Sequence, residues 1–125
     1  MPTPALDIES VCQAVVEALV GPEPSDPAVR ATQDPAEVNT PGAWVTWEGF
    51  QVVTLGGTVR HLLAVYLVVE DRDWRRATRA LSDLYNEAVP ALITPDGPVV
   101  PQRLVLPGTP TELPALRVPV HLTTT

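Results

Sequence analysis

The chain has no lysine, one cysteine and two histidines in 125 residues. Each shortage excludes a class of function. Cys12 cannot form an intramolecular disulfide, and alone it cannot build a thiolate zinc site. His61 and His121 stand in no HExxH and no Cys-His or metal-ligand spacing. His61 alternates with core valines and leucines, and His121 faces the other way; both read as structural or surface histidines. Aromatics make up 5% of the chain and are scattered over strands and helix, which suits core packing. Basic residues number eight against fifteen acidic ones, for a net charge of -7 and a pI near 4.6. That balance excludes the clustered cationic footprint of a phosphate-binding protein. The longest apolar run, Leu62 to Val69, is eight residues, and a spanning helix needs roughly 20. The first residues lack a basic region, and Asp7 and Glu9 interrupt the apolar stretch. These features predict a soluble protein, intracellular when made, with no secretory signal and no membrane association. The Arg-only basic set reflects a GC-rich coding bias.

What is abundant is proline, 15 residues in all. The prolines sit mostly between recognisable elements. Residues 5–20 have helical period, with Ile8, Val11, Cys12, Val15 and Leu19 on one face and Ser10, Gln13 and Glu17 opposite. Thr3-Pro4 or Asp7 supplies the N-cap, and Gly21-Pro22 ends the helix. Residues 21–42 form a Pro-rich loop region with a short extended piece at Val29–Thr32. A stretch this long points to a function or to ordering by a partner. Trp44–Trp47 reads as a strand that Gln51–Leu55 either continues or answers as a hairpin arm, with Gly56-Gly57 as the turn. Trp44 and Trp47, three apart, face opposite ways. Thr58–Glu70 is apolar on both faces from Leu62 onward. It is therefore expected at the centre of a sheet, covered by a helix on one face and another subunit on the other.

Residues 71–94 form a second helix. Trp74, Ala77, Leu81, Leu84, Ala88 and Leu92 are its core stripe, Asp71 or Asp73 its cap, and Pro90 its kink or end. Two closing strands, Val99–Leu106 and Leu113–Leu122, follow. Pro119 lacks an N–H, so the last strand is expected at an edge or paired on one side only. The chain thus predicts one α+β domain spanning residues 1–125, with a mostly antiparallel sheet and the order α-β-β-β-α-β-β.

No catalytic, cofactor or metal constellation is legible. Cys12 lies on the apolar helix face. Leu55-Gly56-Gly57-Thr58 lacks the Lys-Ser/Thr of a phosphate loop and precedes a strand. The pairs Glu9/Glu17 and Asp71/Asp73 suit helix surface and cap. The chain does not read as an enzyme. One charge pattern is sharper. Arg72, Arg75, Arg76 and Arg79 form a stripe opposite the core face of the second helix. The stripe is a solvated face helped by an Arg79–Asp83 pair, a docking stripe for an acidic surface on a neighbouring copy, or a weak nucleic-acid footprint.

Several stretches in order carry a resemblance. They are the helix Ile8 to Ala14, the run from Asp34-Pro35 through Val38-Asn39-Thr40-Pro41 to Val45, and the strand ending Tyr66 to Val69. Ala80 to Leu84, Leu106-Pro107-Gly108 and Leu113-Pro114-Ala115-Leu116 follow. Together they resemble the tail terminator proteins of siphophages that infect actinobacteria, over nearly the whole chain. The resemblance implies a structural virion protein assembled in the host cytoplasm and resident at the head–tail junction. It implies a homo-oligomer, a hexameric ring, that caps the head-proximal end of the tail tube and ends tube polymerisation. Its partners would be the major tail tube protein and a head completion or neck protein. DNA would pass through the lumen without specific binding, and no cofactor is implied. The loops at Pro35, Asn39, Pro41, Gly56 and Gly57 are candidates to face those partners. The rival readings are another head–tail connector subunit, which shares size and ring symmetry, and a small cytosolic regulatory domain that binds a ligand or protein.

Overall fold

A computed structural model describes residues 7–20, 30–53, 57–71, 73–88, 93–108 and 110–124. Helix α1 (Ile8–Val20) begins where Asp7 accepts the Ser10 backbone N–H at 3.1 Å and its hydroxyl at 2.8 Å. Asp7 is thus the cap, and its side chain satisfies a donor that the first helical turn leaves free. The alternative cap at Thr3-Pro4 lies outside the described residues. Val11, Cys12, Val15, Val16 and Leu19 are buried, as the period requires. Ile8, the first residue of the helix, is 39% exposed.

Within the Pro-rich stretch, β1 (Ala31–Thr32) is a two-residue strand and Pro35–Glu37 a single 3-10 turn capped by Asp34. Strand β2 (Gly42–Val52) is one continuous strand, so residues 51 and 52 continue it rather than answering it. Its register slips between Trp47 and Gly49, where Glu48 is the extra residue of a bulge. Strand β3 (Val59–Val68) follows across a hairpin closed by Val53 N–H to the Thr58 carbonyl. Helix α2 (Trp74–Ala88) is shorter than the 71–94 expected; Pro90 and Leu92 lie outside the described residues. Strands β4 (Val100–Val105) and β5 (Glu112–Thr124) complete the order α-β-β-β-α-β-β of an α+β domain.

The sheet order is β1-β2-β3-β5-β4, with only the β1–β2 pair parallel. Strand β3 is central, as its two apolar faces require. Both helices pack on one face, α1 over β1 and β2, and α2 over β3 and β5. That face holds the main core, with Leu63, Val65 and Leu67 of β3 against Val15, Leu19, Ala77 and Leu81. The helix cover expected on one face of β3 is present. On the second face Ala64, Tyr66 and Val68 are buried within the chain's own fold, in a cluster with Leu104, Leu106 and Ala115.

Two expectations are corrected. Strand β5 is not an edge strand, since it lies between β3 and β4. Pro119 is tolerated because β4 stops at Val100, opposite Arg117, so beyond that point β5 pairs with β3 alone. The free Pro119 carbonyl accepts the Asp96 N–H at 2.7 Å instead. Trp74 is 50% exposed and not in the core. Its phase is right for the apolar stripe, but as the first helical residue it projects toward the β4–β5 loop, beyond the packed face.

Candidate functional site

Strand β3 is ten residues long, so the two ends of the sheet stand about 30 Å apart. The candidate loop residues divide between those ends. Pro35, Asn39 and Pro41 precede Gly42, which pairs with Val68 at one end. Gly57, at φ +93°, turns the hairpin beyond Val52 and Val59 at the other. Gly56 lies outside the described residues. The chain between Pro35 and Gly42 is tightly fixed. Asp34 accepts the Ala36 N–H at 2.9 Å, the Thr40 hydroxyl donates to Glu70 at 3.1 Å, and the Thr40–Pro41 peptide is cis. Gly42 is required there, since a Cβ would press on the backbone carbonyls of Asn39 and Arg30.

Four of the six stretches that carry the resemblance meet at this same end. Val38 and Trp44 come from the Asp-Pro stretch, and Leu106 and Leu113 from the two Leu-Pro stretches. All four pack on the second core, where the Trp44 ring stacks on Tyr66 at 5.5 Å. The Trp44 indole N–H donates to the Gln33 carbonyl at 3.3 Å. These motif residues therefore close the sheet face that has no helix.

The arginine stripe is only partly free. Arg75, Arg76 and Arg79 are exposed on α2; Arg72 lies outside the described residues. Arg76 Nε lies 3.4 Å from Asp73 and 3.9 Å from Asp71, the carboxylates that also cap the helix start. It partly neutralises the cap while its side chain stays 74% exposed. Among the described residues the expected Arg79–Asp83 pair does not form, and Arg75 and Arg79 make no ion pair.

Sequence reasoning missed two polar clusters. On the second face Arg60 Nη2 donates to both Asp96 carboxylate oxygens at 2.8 Å. His121 Nδ1 lies 3.3 Å from Asp96. Arg60 and His121 border an open hollow of about 790 Å³ that Gln51, Val52 and Thr123 also line. The group holds no nucleophile, and Arg60 already neutralises the carboxylate, so the arrangement locks the 93–98 segment to the sheet. In the core, His61 is fully buried. The Trp47 indole can only donate, so His61 Nδ1 accepts from it at 3.2 Å. The ring proton is thereby placed on Nε2, 3.1 Å from the Thr124 hydroxyl. His61 alternates with apolar residues, which signals burial; the identity of its partners has no local signal.

Cys12 is buried, and burial raises its thiol pKa above the usual range. Its setting is that of a core residue rather than a nucleophile. Among the described residues no group of three His, Cys, Asp or Glu side chains is placed to hold a metal ion, and no helix is long and apolar enough to cross a membrane. The arrangement as a whole presents two loop-bearing ends, two sheet edges and open hollows. No protein-family model, curated protein or solved structure matches the chain.

Proposed function

We propose that this chain is a structural subunit of a phage virion. It acts as a tail terminator whose hexameric ring caps the head-proximal end of a siphophage tail tube. The ring ends tube polymerisation and then receives the head completion or neck protein. The subunit works by contact and not by catalysis. It is made in the host cytoplasm and resides at the head–tail junction.

The observation that carries this reading is the division of the loops between opposite ends of one rigid sheet. A capping ring needs two dissimilar axial faces, one for the tube and one for the neck. Pro35, Asn39 and Pro41 furnish one end and the Gly57 hairpin the other. A net charge of -7 suits a lumen along which DNA slides without being held, since like charges repel.

The test is assembly on a polymerising tail tube protein. The purified chain should shorten the tubes in proportion to its concentration, with six copies on one tube end by electron microscopy and native mass. A chain that remains a dimer in the presence of tube ends, with tube length unaltered, overturns the reading.

A further inference from the structure

Asp96–Gly97 is the one Asp-Gly or Asn-Gly pair in the chain. Such a pair can rearrange unaided. The backbone nitrogen of the second residue attacks the side-chain carboxyl carbon of the first and closes a five-membered imide. Glycine favours this because it has no Cβ to shield the nitrogen and its backbone turns freely. Every other Asp and Asn here is followed by a residue that bears a Cβ. The pair sits in irregular chain between α2 and β4, where neither helix nor strand fixes the peptide. Gly97 is exposed, and its N–H has no partner among the described residues. The nucleophile is therefore free.

The electrophile is held. Arg60, on β3, donates from Nη2 to both Asp96 carboxylate oxygens at 2.8 Å, and His121 Nδ1 lies 3.3 Å from one of them. The Asp96 N–H is tied to the Pro119 carbonyl at 2.7 Å. Ring closure needs the carboxyl carbon to swing onto the Gly97 nitrogen and then to shed one of its oxygens. Both oxygens are bound to the sheet through Arg60, so both movements begin by breaking that pair. The two side chains are partly exposed, Arg60 at 36% and Asp96 at 27%. Solvent screens the pair, so it slows the reaction without forbidding it.

We propose that Asp96–Gly97 is a site of spontaneous isomerisation whose rate is set by the Arg60–Asp96 pair. The bond from the Gly97 nitrogen to Asp96 Cγ forms as one Cγ–O bond of the neutral carboxyl breaks. The departing oxygen leaves as water, with the carboxyl proton and the amide proton. A second water then opens the imide. Opening at Cγ restores Asp96. Opening at the backbone carbonyl leaves the chain running through Cβ and Cγ, an isoaspartyl link of unchanged mass. No oxidant, reductant or cofactor enters. The isoaspartyl backbone is one carbon longer, and its free carboxylate stands directly on Cα. That shorter branch withdraws from Arg60, so the 93–98 segment is released from the sheet. The conversion undoes the lock that delays it, and it does so however the subunit assembles.

The test is ageing of the purified chain at neutral pH. Isoaspartate is read with an isoaspartate-specific carboxyl methyltransferase and placed by peptide mapping. The chain unfolded in guanidinium chloride gives the unrestrained rate. The native wild type should convert first at residue 96, about tenfold more slowly than the unfolded chain, which corresponds to about 1.4 kcal/mol on the barrier. Arg60→Met keeps the side-chain stem and removes the charge. With circular dichroism matching the wild type, its native form should approach the unfolded rate. Gly97→Ala sets a Cβ 3.4 Å from Pro119 Cγ, an ordinary contact, so the variant should fold. It should convert more slowly than the wild type, folded or unfolded. A native wild type that converts as fast as the unfolded chain, or shows none once the unfolded chain is fully converted, overturns the proposal. So does isoaspartate that appears first at another residue, or an Arg60→Met chain no faster than the wild type. In the converted chain the Asp96 N–H should exchange faster with solvent, and unchanged protection there overturns the release of the segment.

Discussion

Replacing His61 by Leu tests the buried polar network most directly. The side chain is fully buried and spans Trp47 at 3.2 Å and Thr124 at 3.1 Å. Leu is close to imidazole in volume, so the packing loss is small and the polar loss dominates. The Trp47 indole N–H then has no acceptor in a half-buried position, and an orphaned donor costs about 1–3 kcal/mol. Thr124 is only half-buried, so its hydroxyl can turn to water and adds little. The single variant should therefore lose about 1–3 kcal/mol, toward the low end because Trp47 is not fully enclosed. Trp47→Phe removes the donor and keeps most of the ring. The double variant should cost less than the sum of the two singles by about 1 kcal/mol, because the partners now vanish together. Urea unfolding followed by far-ultraviolet circular dichroism measures all four corners of the cycle. Tryptophan fluorescence is unsuitable, because Trp44 and Trp74 contribute and Trp47 itself is changed. Effects that add within about 0.3 kcal/mol would refute the hydrogen bond as the source of the loss.

Leu81→Ala empties a buried site between α2 and the sheet and should cost about 2–5 kcal/mol in the same assay. Gly42→Ala forces a methyl against the Asn39 and Arg30 carbonyls and should cost about 1–3 kcal/mol, with loss of β1 protection in hydrogen exchange. Native Cys12 should react with a thiol reagent about 10³-fold more slowly than in denaturant, since burial both hides it and raises its pKa. The Ser10 N–H and hydroxyl hold the Asp7 pKa below its ordinary value. Its contribution is thus present above about pH 3.9 and lost as pH falls through the lowered value, so the thermal gap between wild type and Asp7→Ala should close in acid.

The parts of the fold that were legible were those fixed by local pattern. Strand β3 announced its central place by being apolar on both faces, and α1 announced its buried side by period. The rest depended on partners distant in the chain. Pro119 implied a missing pairing, but only the length of β4 decides that β5 is interior and the gap local. Trp74 was in phase with the core, and only its position at the helix start leaves it exposed. The arginine stripe was visible as four residues, but the pairing of Arg76 with Asp71 and Asp73 was not.

The Glu48 bulge gives β2 a private frame. Before it, odd-numbered residues look toward the helices; after it, even-numbered ones do. Trp47 and Phe50 can share a face and lie near-parallel at 6.2 Å only because of that slip. A one-residue deletion anywhere between Trp47 and the hairpin would force a choice. Either the bulge is erased and the outer half of the strand keeps its faces, or the bulge persists and Phe50 and Val52 turn over. Deleting Glu48 itself takes the first path at the expense of the Arg117 ion pair. Deleting Gln51 would leave the hairpin one residue short instead. The length of this strand should therefore vary by single residues at position 48 and nowhere else.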